Sequence, residues 1–167
     1  MQPFMNAFRR VPFSPGIFKF AAIPRRGYAQ AAQKNEKLIL SMALPYRTVF
    51  DKVPVTQVDL PTEDGEMGVL KDHVPMVQCL RPGVIQITDE SNAVSKYFVS
   101  GGFAVQQPSN ELSVTSPEAF KLEDFSSSVV AQLLEKYRAE AASSDEKVAA
   151  EASIRVGVLE TLSGALK

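Results

Sequence analysis

Histidine and cysteine each occur once in the 167 residues, as His73 and Cys79. A single cysteine cannot close an internal disulfide, so nothing in the chain calls for an oxidising compartment. One histidine and one cysteine cannot supply the three or four ligands of a metal site. Catalysis needs convergent groups of matched pKa, and His73 has no evident polar partner. Cys79, flanked by Gln78 and Leu80 in a strand-like context, is expected to be a small buried hydrophobe rather than a nucleophile. No apolar run approaches the roughly 20 residues that a membrane-spanning helix needs. There is no GxxxxGKS/T loop and no strand running into GxGxxG and a helix, so the usual apparatus for cradling phosphate is missing and no cofactor is expected.

Acidic residues are missing from the amino terminus, where Arg9, Arg10, Lys19, Arg25 and Arg26 all precede the first acid, Glu36. Phe4, Phe8 and Val11 share a helical face beside Arg9 and Arg10. An amphipathic, arginine-bearing, acid-free segment has the composition of a mitochondrial presequence, here residues 1–28. The Arg26-Gly27-Tyr28-Ala29 string resembles the arginine-aromatic pattern of matrix processing, which implies cleavage between Tyr28 and Ala29. The alternative is a basic arm kept irregular by its prolines. Without this segment, 13 basic side chains face 19 acidic ones. An acidic body without a basic stripe argues against a nucleic-acid partner.

What the chain does have is concentrated in Gly65 to Gly83, GEMGVLKDHVPMVQCLRPG. Its Gly65, Gly68, Pro75, Pro82 and Gly83 are the residue types that turns demand. The stretch is expected to be turns joining short strands. Lys37 to Leu44 alternates with period two, placing Leu38, Leu40, Met42 and Leu44 on one side of an extended chain. Thr48 to Leu60 is rich in β-branched residues, but its apolar phase changes between Val55 and Val58. A bulge, or a strand passing from one sheet to another, would account for the shift. Val84 to Thr88, Val94 to Ser100, Phe103 to Gln107 and Leu112 to Thr115 follow, each bounded by a turn signal, with Gly101-Gly102 as a hairpin signal. Short strands without intervening helices indicate an antiparallel sandwich or barrel over residues 35–121.

Proline is absent after Pro117, and the last 46 residues, 122–167, read as an antiparallel two-helix hairpin. Phe125, Val129, Leu133, Tyr137 and Ala141 recur every four residues, widened by Val130 and Leu134. Ser143 with Glu146 has the spacing of a capping box for the second helix. That helix carries Val148, Ala152, Val156 and Leu159, alongside Ile154, Val158 and Leu162. Isolated helices of this length are marginal in water, so the remaining stripe should seek the sandwich or a partner.

Gly65-Glu66-Met67-Gly68-Val69-Leu70, then His73, Pro75 and Arg81-Pro82-Gly83, form one ordered signature. Ser100-Gly101-Gly102-Phe103, then Val105, Gln107-Pro108 and Leu112 to Val114, form a second. Over residues 37–167 the chain resembles the small central-stalk subunits of rotary F-type ATP synthases, called delta in mitochondria and epsilon in bacteria. The resemblance implies a ten-strand β-sandwich followed by a helical hairpin at the foot of the rotating shaft. It implies contacts with the gamma shaft subunit, the membrane c-ring and the small mitochondrial epsilon subunit, and no chemistry of the chain's own. By position in the motif, Asp64, Glu66 and His73 would form an end of the sandwich facing the ring. Bacterial relatives that bind ATP carry an acid followed by Arg-Ala at the start of the first helix. This chain has Leu122-Glu123-Asp124-Phe125-Ser126 there, which speaks against regulatory nucleotide binding. The competing readings are a matrix enzyme using His73 in a pocket and a stand-alone scaffold.

Overall fold

Residues 34–167 are described in a computed structural model of the chain. The expected presequence, with its cleavage between Tyr28 and Ala29, lies outside the described residues. The strands are β1 (Leu38–Leu44), β2 (Arg47–Val55), β3 (Gln57–Thr62), β4 (Gly65–Leu70), β5 (Met76–Leu80), β6 (Gly83–Thr88), β7 (Val94–Val99), β8 (Gly102–Gln106), β9 (Glu111–Thr115) and β10 (Ala119–Lys121). They form two five-stranded halves, β10-β7-β6-β3-β4 and β5-β8-β9-β1-β2, joined in the ladder at the bridge Thr62 to Leu80. The core lies between them: Leu38, Leu40 and Met42 of β1 and Leu112 and Val114 of β9 pack with Val58 and Leu60 of β3 and Ile85 of β6.

The change of apolar phase between Val55 and Val58 has a simple origin. β2 pairs with β1 in one half, Thr56 breaks the extended run, and β3 pairs with β6 and β4 in the other. One extended run thus serves both sheets, and Val55 and Val58 both face the core only because the phase shifts between them. The sandwich is mixed rather than purely antiparallel, because β1 and β9 run parallel, with Leu40 opposite Leu112. Gly101-Gly102 does not close a hairpin either: β7 pairs with β6 and β10, β8 with β5 and β9, so this turn carries the chain between halves.

A 3-10 turn, Leu122–Asp124, leads to α1 (Ser127–Ala141) and α2 (Glu146–Ala165). The hairpin covers the outer face of β6 and β7. There Phe98, Val130 and Leu162 are buried together, with Val84, Leu122, Phe125, Val158, Leu159 and Leu166 around them. Phe98 and Phe125 meet edge to face at a centroid distance of 5.9 Å. The inward stripe of α1 runs through Val130 rather than Val129 or Leu133, which are exposed, and α2 likewise leaves Val148 and Ile154 in solvent. The helices are held to each other by Arg138 and Glu160 at 2.6 Å and by Arg155 over the Tyr137 ring. The cap of α2 is Asp145, whose carboxylate accepts from the Lys147 and Val148 amides. Ser143 instead accepts from the Asp145 amide, so the Ser143–Glu146 box is not formed. A carboxylate at this position also answers the positive end of the helix dipole.

Gly157 is exposed in the middle of α2, and a Cβ there would meet nothing within 4 Å. Glycine in a helix interior costs about 1 kcal/mol relative to alanine. Gly157→Ala is therefore expected to stabilise the isolated protein by about 1 kcal/mol, read as a higher urea midpoint.

Candidate interaction surfaces and family membership

The Gly65 to Gly83 stretch resolves into two strands and three connections. β3 and β4 form a tight hairpin through Glu63-Asp64, in which Thr62 Oγ1 donates to the Gly65 carbonyl at 2.6 Å. Gly65 follows with φ +129°, a backbone that side-chain-bearing residues rarely adopt. Gly68, in contrast, lies within β4 opposite Asp59, without a positive φ, and is not a turn residue. Gly83 opens β6 and packs under Pro61: a Cβ would stand 2.7 Å from the proline's own Cβ. The glycine is there for close approach, and Pro82 ends the preceding turn.

The chain leaves β4 through Lys71, Asp72, His73, Val74 and Pro75 before β5 begins. Asp72 has φ +65°, and its amide donates to the Asn110 carboxamide at 3.0 Å. Asn110 in turn donates to the Asn35 carbonyl at 2.7 Å and to the Asp72 carboxylate at 3.2 Å, while Lys34 reaches that carboxylate at 2.5 Å. Hydrogen bonds from Lys34, then from Asn110, hold the Asp72 carboxyl below its ordinary pKa of 3.8. A folded pKa below the unfolded one adds stability at pH values above 3.8 that fades as pH falls through the depressed value. Asp72→Asn should accordingly lower stability at neutral pH and flatten the acid limb of an unfolding curve, so that the variant and the native protein converge as the pH falls.

Asp64 and His73 do not share one end of the sandwich. Asp64 sits in the turn before β4 and His73 in the connection after it, so about 3.3 Å per strand residue separates them by about 20 Å. What they share with Glu66 is the outer margin of β4, a strand that among the described residues is paired on one side alone, with β3. Glu66 is exposed and its carboxylate stands 3.9 Å from the Arg81 guanidinium. His73 Nδ1 lies 3.1 Å from the Val74 carbonyl oxygen. Cys79 is exposed on β5 rather than buried, which corrects the sequence expectation. Among the described residues no group of His, Cys, Asp and Glu could hold a metal ion.

The uncovered outer face, across β5, β8, β9 and β1, presents Val77 and Cys79, then Phe103 and Val105, then Glu111, Ser113 and Thr115, then Ile39, Ser41 and Ala43. Val77 is 67% exposed and Phe103 55%. Glu111 is the only charge among these ten positions. A solvated sheet face ordinarily alternates polar outward, and a contiguous apolar patch on it marks an interaction site.

A family profile described as the beta-sandwich domain of the ATP synthase delta/epsilon chain matches residues 37–122. The chain belongs to that family. A second profile, the C-terminal domain of the fungal epsilon subunit of F1F0-ATP synthase, matches residues 125–164. Among similar proteins, the mitochondrial ATP synthase subunit delta of Schizosaccharomyces pombe is 71% identical over 159 residues, 95% of each chain. The protein of that name in Saccharomyces cerevisiae is 46% identical over 145 residues, 87% of this chain and 90% of that one. A chain in the structure of the Euglena gracilis mitochondrial ATP synthase, OSCP/F1/c-ring, superposes with a TM-score of 0.78 at 29% identity, over 96% of this chain and all of that one. A chain of the Tetrahymena thermophila mitochondrial ATP synthase central stalk and c-ring shares the fold, at a TM-score of 0.57 and 13% identity.

As a delta-type member of the family, the chain is a non-catalytic, central-stalk subunit of the mitochondrial ATP synthase. No helix among the described residues is long and apolar enough to cross a membrane. Its candidate functional residues are therefore contact residues, and the uncovered face is a candidate surface that sequence reasoning did not single out. The signal was present as four outward positions without a charge, Val77, Cys79, Phe103 and Val105, in two strands that pair with each other.

Proposed function

We propose that this subunit clamps the membrane c-ring to the gamma shaft from the matrix side of the inner membrane, each partner held by a different surface of the sandwich. The segregation of charge supports the reading: the acids Asp64 and Glu66, with His73, line the outer margin of β4, whereas the β5-β8 face is uncharged apart from its far edge. The β4 margin is the proposed contact for the polar loops of the ring. The uncharged face is proposed to lie against gamma, where burial of Val77 and Phe103 would supply apolar contact without leaving a charge unpaired. The mitochondrial epsilon subunit is proposed to rest on the hairpin, which leaves Val129, Leu133, Val148 and Ile154 exposed. The domain boundaries proposed are residues 1–28 for the presequence, 35–121 for the sandwich and 122–167 for the hairpin.

Phe103→Asp tests the gamma face. The ring is more than half exposed in the free chain, so the isolated protein should melt within about 0.5 kcal/mol of the native one. Its recovery with affinity-purified ATP synthase should fall at least several-fold. Unchanged recovery would remove gamma from that face.

A further inference from the structure

Among the described residues the ladder ends at β2, β10 and β4, with β5 held to β3 only at the Leu80 bridge, and the three ends are not protected alike. β2 carries Asp51, then Lys52 with φ +51°, then Pro54, and its register against β1 shifts at Met42. Charge, proline and an irregular register are the devices that keep an edge from recruiting another strand. β10 has three residues and follows Pro117. β4 has six residues in continuous register with β3, a single charge at Glu66, and no proline, lysine or bulge.

The direction of its backbone groups follows from the pairing. Pro61 turns its carbonyl away from β4, since that oxygen accepts from the Arg81 amide at 2.9 Å. Successive residues of an antiparallel ladder alternate between facing the partner and facing away. Glu66, opposite Pro61, and Gly68, opposite Asp59, therefore aim their N–H and C=O groups at the open side. Both residues are exposed, as is Leu70 beyond them. The side chains of Glu66 and Leu70 share the outer face of the sheet, and between them, over Gly68, lies the Asp59 carboxylate, 3.0 Å from where a Cβ would stand.

We propose that β4 takes up an extended segment of a partner polypeptide as an added edge strand. A row of unpaired amides and carbonyls at strand spacing is satisfied in sequence only by another extended backbone, neither by a helix nor by a lipid surface. The chemistry of the segment follows from the outer face: basic or neutral polar side chains, set against the carboxylates of Glu66 and of Asp59 over Gly68. That the segment comes from the ATP synthase rests on the family reading; that β4 is the receiving strand does not.

Hydrogen–deuterium exchange of the peptide spanning residues 65–70, in the assembled ATP synthase and in the isolated subunit, tests this. The Met67 and Val69 amides face β3 and should be slow in both. The Glu66 and Gly68 amides should be fast in the isolated subunit and slower by at least about 100-fold in the complex, as expected when a backbone hydrogen bond is formed and buried. Fast exchange at both in the complex would overturn the proposal, while leaving a side-chain contact at Glu66 intact. Glu66→Pro deletes one outward N–H without removing a bond to β3, so the isolated variant should melt like the native protein and bind the rest of the complex at least several-fold more weakly. Glu66→Gln, which keeps the amide, should bind more tightly than Glu66→Pro. Equal binding by the two variants would mean that the side chain, not the edge, makes the contact.

Discussion

Gly102→Ala is expected to abolish folding, or to destabilise the protein by about 3 to 5 kcal/mol, at the upper end of what single substitutions do. Two costs coincide there. Gly102 has φ +134°, a region that side chains rarely enter, and a Cβ would stand 2.1 Å from the Thr115 carbonyl oxygen. That oxygen is on backbone, so relief requires β8 and β9 to separate, and these strands pair along Phe103 to Gln106. The turn also has to carry the chain from β7 in one half of the sandwich to β8 in the other. Gly68→Ala is the internal comparison. Its Cβ would meet the Asp59 carboxylate at 3.0 Å, the far end of a side chain that can swing away, and no positive φ is involved. Urea unfolding of the two variants should show a loss for Gly102→Ala at least twice that for Gly68→Ala.

Glu66→Lys is expected to have the largest effect on function relative to stability. The carboxylate is exposed and lies 3.9 Å from Arg81, at the long end of ion-pair range, so its loss should shift stability by under about 0.5 kcal/mol. Reversing its charge would place two cations on the margin proposed to carry Asp64 and Glu66 toward the ring. ATP-driven proton pumping in inner-membrane vesicles should fall several-fold while soluble ATP hydrolysis persists, because slippage between ring and shaft uncouples the two. A melting loss as large as the coupling loss would place the contact elsewhere.

Much of the architecture was legible because each device has a local signature. Alternation gave Leu38, Leu40, Met42 and Leu44 their shared face, and the broken phase at Val55 and Val58 marked the one run that serves both sheets. Other features lacked such a signature. The parallel pairing of β1 with β9 joins residues more than 70 positions apart, and nothing in either strand records direction. The inward face of α1 depends on where Phe98 and Val84 lie beneath it, so a stripe through Val129 and Leu133 satisfied helical spacing but missed the contact. Asp145 and Ser143 are both good caps, and only the path of the chain between the helices chose Asp145. Cys79 looked buried because its neighbours are strand-like, yet β5 turns that residue toward the uncovered face. Position in the motif likewise placed Asp64 and His73 at one end of the sandwich, whereas an intervening strand sets them along one margin.

The central claim is that this margin faces the c-ring within the rotor. A single cysteine placed at Asp64, in a chain whose Cys79 has been replaced by serine, provides the most direct measurement. In gently solubilised ATP synthase, a short crosslinker at residue 64 should join the subunit to a c-ring subunit, and the crosslinked enzyme should keep rotating, since both parts belong to the rotor. A crosslink to a stator subunit, or a chain that migrates apart from the ATP synthase altogether, would contradict the account.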